Sequence, residues 1–257
     1  MSILVKKTVA REFCTKNSRA VSQGGALCTK NLIRRLFSAL LSTLAMLCLC
    51  ELLKQDCLAA NHNKMFDFSA WNQSCQPTLV VINKDNPIPN NYMIALSSYQ
   101  GKQINSALKN DLNDMVTAAS RAGVRIFICS GYRSIGHQTR LFNAEVLRRR
   151  RQGHSEKEAQ LRAAMVVARP KTSEHNTGLA IDFNCVRDDF YKTKEFAWLI
   201  NNAHKYGFIL RYAKDKVDKT CVVYEPWHFR YVGKEHSSKI IESGLCLEEY
   251  IQQHLIK

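Results

Sequence analysis

The sequence has little glycine and proline, with 11 and five of its 257 residues, and no fixed-period repeat. These absences exclude a fibrous protein, a low-complexity chain and a repeat array. None of the ten cysteines forms a CxxC pair, so neither a thioredoxin-like site nor a cysteine-ligated zinc site is favoured. Their disulfide pairing stays open. RNA-binding signatures and zinc-finger spacings are also lacking, and we therefore expect no nucleic-acid partner.

The chain is rich in positively charged residues. Its 37 Lys and Arg against 22 Asp and Glu give a net charge of +15. This charge suits an anionic partner, such as an acidic membrane surface, an acidic cell-wall polymer or, as the weakest alternative, nucleic acid. Apolar residues make up 46% and charged residues 23%, close to the globular average. The length accommodates one enzyme-sized domain and an appendage, and we expect a monomer.

An uncharged run of fifteen residues, 36–50, follows Arg34 and Arg35 near the N-terminus. A spanning helix needs about 20 apolar residues, so this run is short for one. Its length and basic flank are typical of the apolar core of a secretory signal, with a small-residue cleavage site at 58–60. An uncleaved membrane anchor is the alternative. Both predict that residues 1–60 direct the protein to the cell envelope or the periplasm.

The remaining chain divides into a polar linker over 61–76 and a folded domain over 77–257. Apolar spacing in this domain predicts an α+β fold, because helices and strands mix without a βαβ rhythm. Strands are predicted at 79–82, 124–130, 179–184, 206–212 and 221–232. Helices are predicted at 102–122, 137–151 and 155–168, and a fourth from Phe196 to a stop at Gly207.

Three segments concentrate polar residues where a plain core would not, namely 130–134, 173–183 and 225–233. Zinc takes imidazole nitrogens and carboxylate oxygens, and a catalytic site holds it with three protein ligands. If the strands that carry Asp182 and His228 pair antiparallel, these two side chains face one another and His175 supplies the third corner. The pattern alone leaves an alternative open, in which the two histidines are structural residues and Asp182 forms a hydrogen bond to a turn.

Glu225 precedes His228 by three residues. An extended strand would place their side chains on opposite faces. Pro226 prevents a regular ladder at this point, so we expect a bend that brings both side chains to one site.

Together and in this order, the three segments resemble the VanY-like branch of the D-alanyl-D-alanine carboxypeptidase family of zinc peptidases. The similarity begins near VINKDNPIPNNY and continues through GYRSIGHQTRLF, SEHNTGLAIDF and EPWHFRYVG to GLCLEEY. It spans roughly residues 77–252. The resemblance implies a small antiparallel sheet flanked by helices, a fold shared with hedgehog signalling domains.

The resemblance also implies the parts of an active site around Zn²⁺. His175, Asp182 and His228 would be the zinc ligands and Glu225 the general base. Arg133 would neutralise the developing oxyanion. Ser173 and Gln138 would hold the substrate peptide by hydrogen bonds, and Trp227 would wall the pocket. No role is assigned to Glu174.

The implied activity is removal of the terminal D-alanine from peptidoglycan stem peptides, as a D,D- or an L,D-carboxypeptidase. A peptidoglycan endopeptidase on the same fold is one alternative, and a non-catalytic, zinc-stabilised binding module is another. Glu225 and Arg133 argue against the binding module, because a structural zinc needs neither a base nor an oxyanion partner. The chain departs from the family at Lys171 and Cys221, where relatives carry glycine.

Overall fold

A four-stranded antiparallel sheet organises the computed structural model, which describes residues 65–256. Its strand order is β3-β4-β6-β5, and a separate hairpin joins β1 to β2. The strands are β1 Leu96–Tyr99, β2 Lys102–Asn105, β3 Ile128–Ser130, β4 Ala180–Phe183, β5 Phe208–Leu210 and β6 His228–Tyr231.

Helices flank this sheet, as the α+β prediction requires. They are α1 Ser69–Ser74, α2 Lys109–Arg121, α3 Ile135–Arg151, α4 Glu156–Ala164, α5 Lys194–Asn202, α6 Val217–Thr220, α7 Lys234–Ser243 and α8 Leu247–His254. Short 3-10 segments connect them, and one of these, Glu174–Thr177, leads into β4. No helix within residues 65–256 is long and apolar enough to cross a membrane. The apolar run 36–50 and the cleavage site at 58–60 lie outside the described residues.

The two-residue period of β4 and β6 separates a hydrophobic core from a polar face. Ile181 and Phe183 on β4 and Phe229 on β6 are buried in the main core. Asp182 and His228 therefore emerge on the opposite face, since successive side chains of a strand point to opposite sides. Helix α2 closes the main core with Leu112, Met115 and Ala119, which share one helical face.

Helices α3 and α4 pack together through a small core of Phe142, Val146, Ala159 and Ala163. Both begin at a serine whose hydroxyl accepts a backbone N–H bond of the first turn, Ser134 for α3 and Ser155 for α4. Ser134 and Ser155 are thus N-caps that satisfy a backbone donor at the start of each helix.

Residues 65–76, which were expected to belong to a linker, form part of the folded domain. Phe68 is fully buried in a second core with Leu79, Val81 and Ile251. The strand predicted at 79–82 is also wrong, because Pro77–Leu79 forms a 3-10 turn and the apolar residues after it fill both cores. Composition alone misassigned this stretch, since its polar residues surround two aromatic side chains, Phe68 and Trp71, that pack in or against the second core.

Several other predicted elements are shorter than expected, and two of them differ most from the prediction. In the region predicted as a helix at 102–122, the first four residues instead form strand β2, which pairs with β1. The strand predicted at 221–232 is confined to His228–Tyr231. Cys221 ends α6 in a left-handed conformation with φ of 57°, and Pro226 lies in a turn, so the backbone before β6 does not extend.

Candidate active site

The three predicted ligands come from two strands and one turn. Asp182 on β4 pairs directly with His228, the first residue of β6. His175 lies in the 3-10 segment that precedes β4. One donor atom from each of the three buried residues lies within 4.8 Å of the others. The antiparallel pairing expected from the sequence is thus present.

The donor atoms converge as a metal site requires. His175 Nε2 lies 3.2 Å from Asp182 Oδ2, and His228 Nδ1 lies 3.1 Å from Asp182 Oδ1. The two imidazole rings are nearly perpendicular. Asp182 Oδ1 is buried without a hydrogen-bond partner, and such an atom is costly unless a cation or donor meets it. Two imidazole nitrogens and one carboxylate are a donor set that fits Zn²⁺.

The backbone of the first polar segment orients His175. Its Nδ1 lies 2.7 Å from the carbonyl oxygen of Gly131. A carbonyl accepts, so this contact places the ring proton on Nδ1 and leaves the Nε2 lone pair directed at Asp182 and the site. Contacts of this kind to a carbonyl orient most metal-ligating histidines.

Glu225 joins the cluster through the expected bend. The backbone N–H of His228 donates to the carbonyl of Glu225 at 3.1 Å and closes a turn over Pro226 and Trp227. The turn brings Glu225 Oε2 to 3.6 Å from His228 Nδ1. Burial raises the pKa of Glu225 to about 7. A bound divalent cation would act in the opposite direction.

Carboxylates dominate the field around His228. Burial alone would lower its pKa, but the nearby carboxylates of Asp182 and Glu174 outweigh burial and raise it to about 9. Burial would likewise raise the pKa of Asp182, whereas His175 beside it holds this pKa well below its usual range. The carboxylates therefore stabilise positive charge at His228, which is a condition that also favours a bound cation.

Arg133 reaches the same site from the loop after β3. Its Nη2 donates to Ser130 Oγ at 3.1 Å and lies 3.5 Å from Asp182 Oδ2. Its Nη1 donates to Gln138 Oε1 at 3.0 Å. Arg133 also lines the site cavity, beside the candidate metal ligands. Ser130 and Gln138 hold the two Nη atoms of its guanidinium in place.

Gln138 lies beside Arg133 and is not among the residues that line the cavity. Its side chain is fully buried on α3, and both ends of its amide are engaged. The oxygen accepts from Arg133, and Nε2 donates to the carbonyl of Ala168 at 2.6 Å. Gln138 therefore orients Arg133 in this structure, and its direct binding of the substrate peptide stays a prediction.

Ser173 and Trp227 line the cavity beside the cluster, where the sequence placed them. The cavity has a volume of about 440 Å³. It extends from the metal ligands past Leu141 and Met165, between α3 and the segment after α4. Its size and mixed lining suit a short peptide.

A buried ion-pair network behind the ligands was missed by the sequence analysis. Glu174 Oε1 accepts from Arg211 Nε at 2.8 Å and from Arg230 Nη1 at 2.7 Å. All three side chains are buried. One signal was available in the sequence, because Arg230 shares the strand face of His228 by the two-residue period. Glu174 and Arg211 carry no such pattern, and only the fold brings them together.

Comparison with known proteins agrees with this geometry. Residues 101–234 match the family model described as VanY, D-alanyl-D-alanine carboxypeptidase. A D-alanyl-D-alanine carboxypeptidase of Enterococcus faecalis is 39% identical over 177 residues, which are 68% of this chain and 65% of that protein. The chain thus spans just under two thirds of this relative's length.

Two solved structures share the fold. A complex of VanYB with D-alanine-D-alanine has a TM-score of 0.65 and 38% identity, covering 70% of this chain and 99% of the other. A mutant of the vancomycin resistance D,D-pentapeptidase VanY in complex with Zn(II) has a TM-score of 0.63 and 38% identity, covering 68% and 99%.

The fold is an α+β fold with a small antiparallel sheet, and its His/Asp cluster is a candidate metal site. The chain belongs to the VanY family of D-alanyl-D-alanine carboxypeptidases. The family and the fold class predicted from the sequence are thereby confirmed.

Proposed function

We propose that this protein is a zinc-dependent carboxypeptidase that removes the terminal D-alanine from peptidoglycan stem peptides. One observation carries the proposal. Glu225 stands 3.6 Å from a ligand atom of the His175, Asp182 and His228 cluster, inside a peptide-sized cavity. A structural metal site has no use for a carboxylate in that position, whereas hydrolysis needs a base there.

The ligands would be His175 Nε2, His228 Nδ1 and an oxygen of Asp182. Zn²⁺ bound by them supplies Lewis-acid polarisation and lowers the pKa of water to about 7. Glu225 accepts the proton of the attacking water and returns it to the amine that leaves. The carboxylate can do both because it faces the cavity from the turn before β6.

Arg133 stabilises the negative charge that develops on the carbonyl oxygen of the scissile bond. Its fork is held by Ser130 and Gln138, so little reorganisation is needed as the charge forms. Trp227 walls the cavity, and Ser173 faces it to hold the peptide.

The test is a cleavage assay with the full chain purified in the presence of zinc. Stem pentapeptides ending in D-Ala-D-Ala and tetrapeptides ending in a single D-Ala are incubated separately, and products are read by mass. Loss of one alanine supports the proposal, and the accepted peptide distinguishes D,D- from L,D-specificity. Internal cleavage would replace it with an endopeptidase. Absence of cleavage by a folded, zinc-loaded chain would favour the binding-module alternative.

We also propose that the protein acts in the cell envelope. The basic flank and apolar run of residues 34–50 support export, and the positive charge suits an anionic polymer there. Fractionation of cells that express the full chain, followed by N-terminal sequencing, tests this. A start near Asn61 indicates signal cleavage, and an intact chain in the membrane fraction indicates an anchor. An intact chain in the cytoplasm would overturn the proposal.

A further inference from the structure

We propose that Glu174 is a positioning residue that holds the imidazole of His228 in the orientation needed to bind the metal. The inference rests on the zinc site of the proposed function. Glu174 Oε2 and His228 Nε2 face one another at 3.5 Å. Both atoms are buried and have no hydrogen-bond partner at the present geometry. A small ring rotation would join them.

The tautomer of His228 gives this contact its importance. Its Nδ1 faces Asp182 and Glu225 at 3.1 and 3.6 Å, so Nδ1 is the atom that would bind the metal. An imidazole that ligates through Nδ1 carries its proton on Nε2. The Nε2–H then needs an acceptor, and the carboxylate oxygen of Glu174 is the group placed to accept it. Second partners of this kind set the ring orientation and raise ligand basicity.

Glu174 is itself held by two guanidinium groups. Its other oxygen, Oε1, accepts from Arg211 and Arg230 at 2.8 and 2.7 Å. Arg230 is anchored in turn, since its Nη2 donates to the backbone oxygens of Thr78 and Val80 at 2.9 Å each. The carboxylate therefore has one oxygen fixed by cations and the other directed at His228.

Because one oxygen of Glu174 contacts the arginines and the other faces His228, Glu174→Gln should have a specific effect. Two guanidinium donors would take the amide oxygen of the new side chain. The amide NH2 would then face His228 Nε2, where two donors conflict unless the histidine changes tautomer. The changed tautomer places the proton on Nδ1 and removes the lone pair that binds the metal. Zinc affinity should therefore fall about 10- to 100-fold.

Glu248 offers a matched control in the same network. It accepts from Arg211 Nη1 and Nη2 at 2.9 and 2.5 Å and lies 3.5 Å from Asn83 Nδ2. Glu248→Gln removes one buried charge of the network, as Glu174→Gln does, but on the side of Arg211 away from His228. A purely structural role for Glu174 would give both variants the same losses.

The experiment measures zinc dissociation constants of the full chain, its Glu174→Gln variant and its Glu248→Gln variant by competition with a chromophoric chelator. Visible absorption of the cobalt(II)-loaded proteins reports ligand geometry. We expect a 10- to 100-fold weaker constant and altered cobalt bands for Glu174→Gln only. Both melting temperatures should fall. Equal zinc constants in the two variants, or a Glu174→Gln constant within threefold of the parent, would overturn the inference.

A second variant covers the case in which Glu174→Gln does not fold. Glu174→Asp keeps the charge beside the two arginines and withdraws the carboxylate by about 1.5 Å. It should fold and still bind zinc about tenfold more weakly, and unchanged affinity would overturn the inference. Failure of the proposed function is separate, because there the parent chain binds no zinc or binds it without cleaving stem peptides.

Discussion

Asp182 on β4 and His228 on β6 are register partners, with Asp182 Oδ1 and His228 Nδ1 3.1 Å apart. Their side chains rise from the polar face of the sheet while Ile181 and Phe229, one residue away on each strand, enter the core. A slip of one residue in either strand would turn a ligand into the core. The apolar pattern that stabilises the sheet therefore also determines the metal site.

Zinc content is the first prediction. The full chain should bind about one zinc, and His175→Ala should lose it, because that substitution removes one of three protein ligands. Chelation should lower the melting temperature, since zinc at 100 times its dissociation constant adds about 2.7 kcal/mol of stability. Metal analysis and calorimetry check this. His137→Ala, at an exposed histidine of α3, is the control and should keep its zinc.

Glu225→Gln should separate binding from chemistry. The variant should keep its fold and its zinc, because Glu225 lies outside the ligand set, while kcat falls by about 10²- to 10⁴-fold with loss of the general base. Stem-peptide cleavage and metal analysis provide the measurements. Glu156→Gln on the exposed face of α4 should leave kcat unchanged. A Glu225→Gln variant that cleaves at the full rate would refute the mechanism.

Gln138 should act through Arg133 and not on the peptide. Gln138→Leu removes one charge-assisted hydrogen bond from the guanidinium, and kcat/KM should fall about tenfold, equivalent to about 1.4 kcal/mol. In an Arg133→Ala background the same substitution should change kcat/KM less than threefold. A double-mutant cycle makes this measurement. Additive losses would instead return Gln138 to direct substrate binding.

Gly131 should not tolerate a side chain. A Cβ at this position would meet the backbone oxygen of Gln103 well inside van der Waals contact, and the carbonyl of Gly131 orients His175. We expect Gly131→Ala to lower the free energy of unfolding by about 1–3 kcal/mol and to weaken zinc binding. Gly136→Ala is the control, since its Cβ would meet only Arg140 Nη1 at 4.0 Å. Denaturant titration compares the two.

Lys171 is held in a left-handed conformation, with φ of 68°. This conformation costs a non-glycine residue about 1–2 kcal/mol. Glycine would remove that cost, but it also raises the conformational entropy of the unfolded chain, which offsets part of the stabilisation. Lys171→Gly should therefore raise the free energy of unfolding by about 0.5–1 kcal/mol, as measured by urea titration. A loss of stability would show that the Lys171 contact to Asn90 Oδ1 at 3.3 Å outweighs the strain.

Apolar periodicity in the sequence was sufficient to predict several elements. Helix α3 and the strands around Asp182 and His228 follow from local spacing, because each buries one face against a core. The motifs were sufficient to predict the cluster of His175, Asp182 and His228, the bend before His228 and the family. These features depend on residues that are neighbours in sequence or share one strand face.

Only the tertiary structure decided the rest. Phe68 lies in a polar stretch, and its burial depends on Leu79, Val81 and Ile251 meeting it from distant elements. Gln138 was expected to bind substrate, but its place on α3 directs it to Arg133 and the carbonyl of Ala168.

The network of Glu174, Arg211 and Arg230 is the clearest case. The three residues are separated by up to 56 positions, and neither Glu174 nor Arg211 carries a periodic signal. Burying such charges is costly unless they are paired. The sequence by itself determined which residues are the candidate metal ligands, whereas the ion pairing behind His228 exists only once β4, β5 and β6 have assembled.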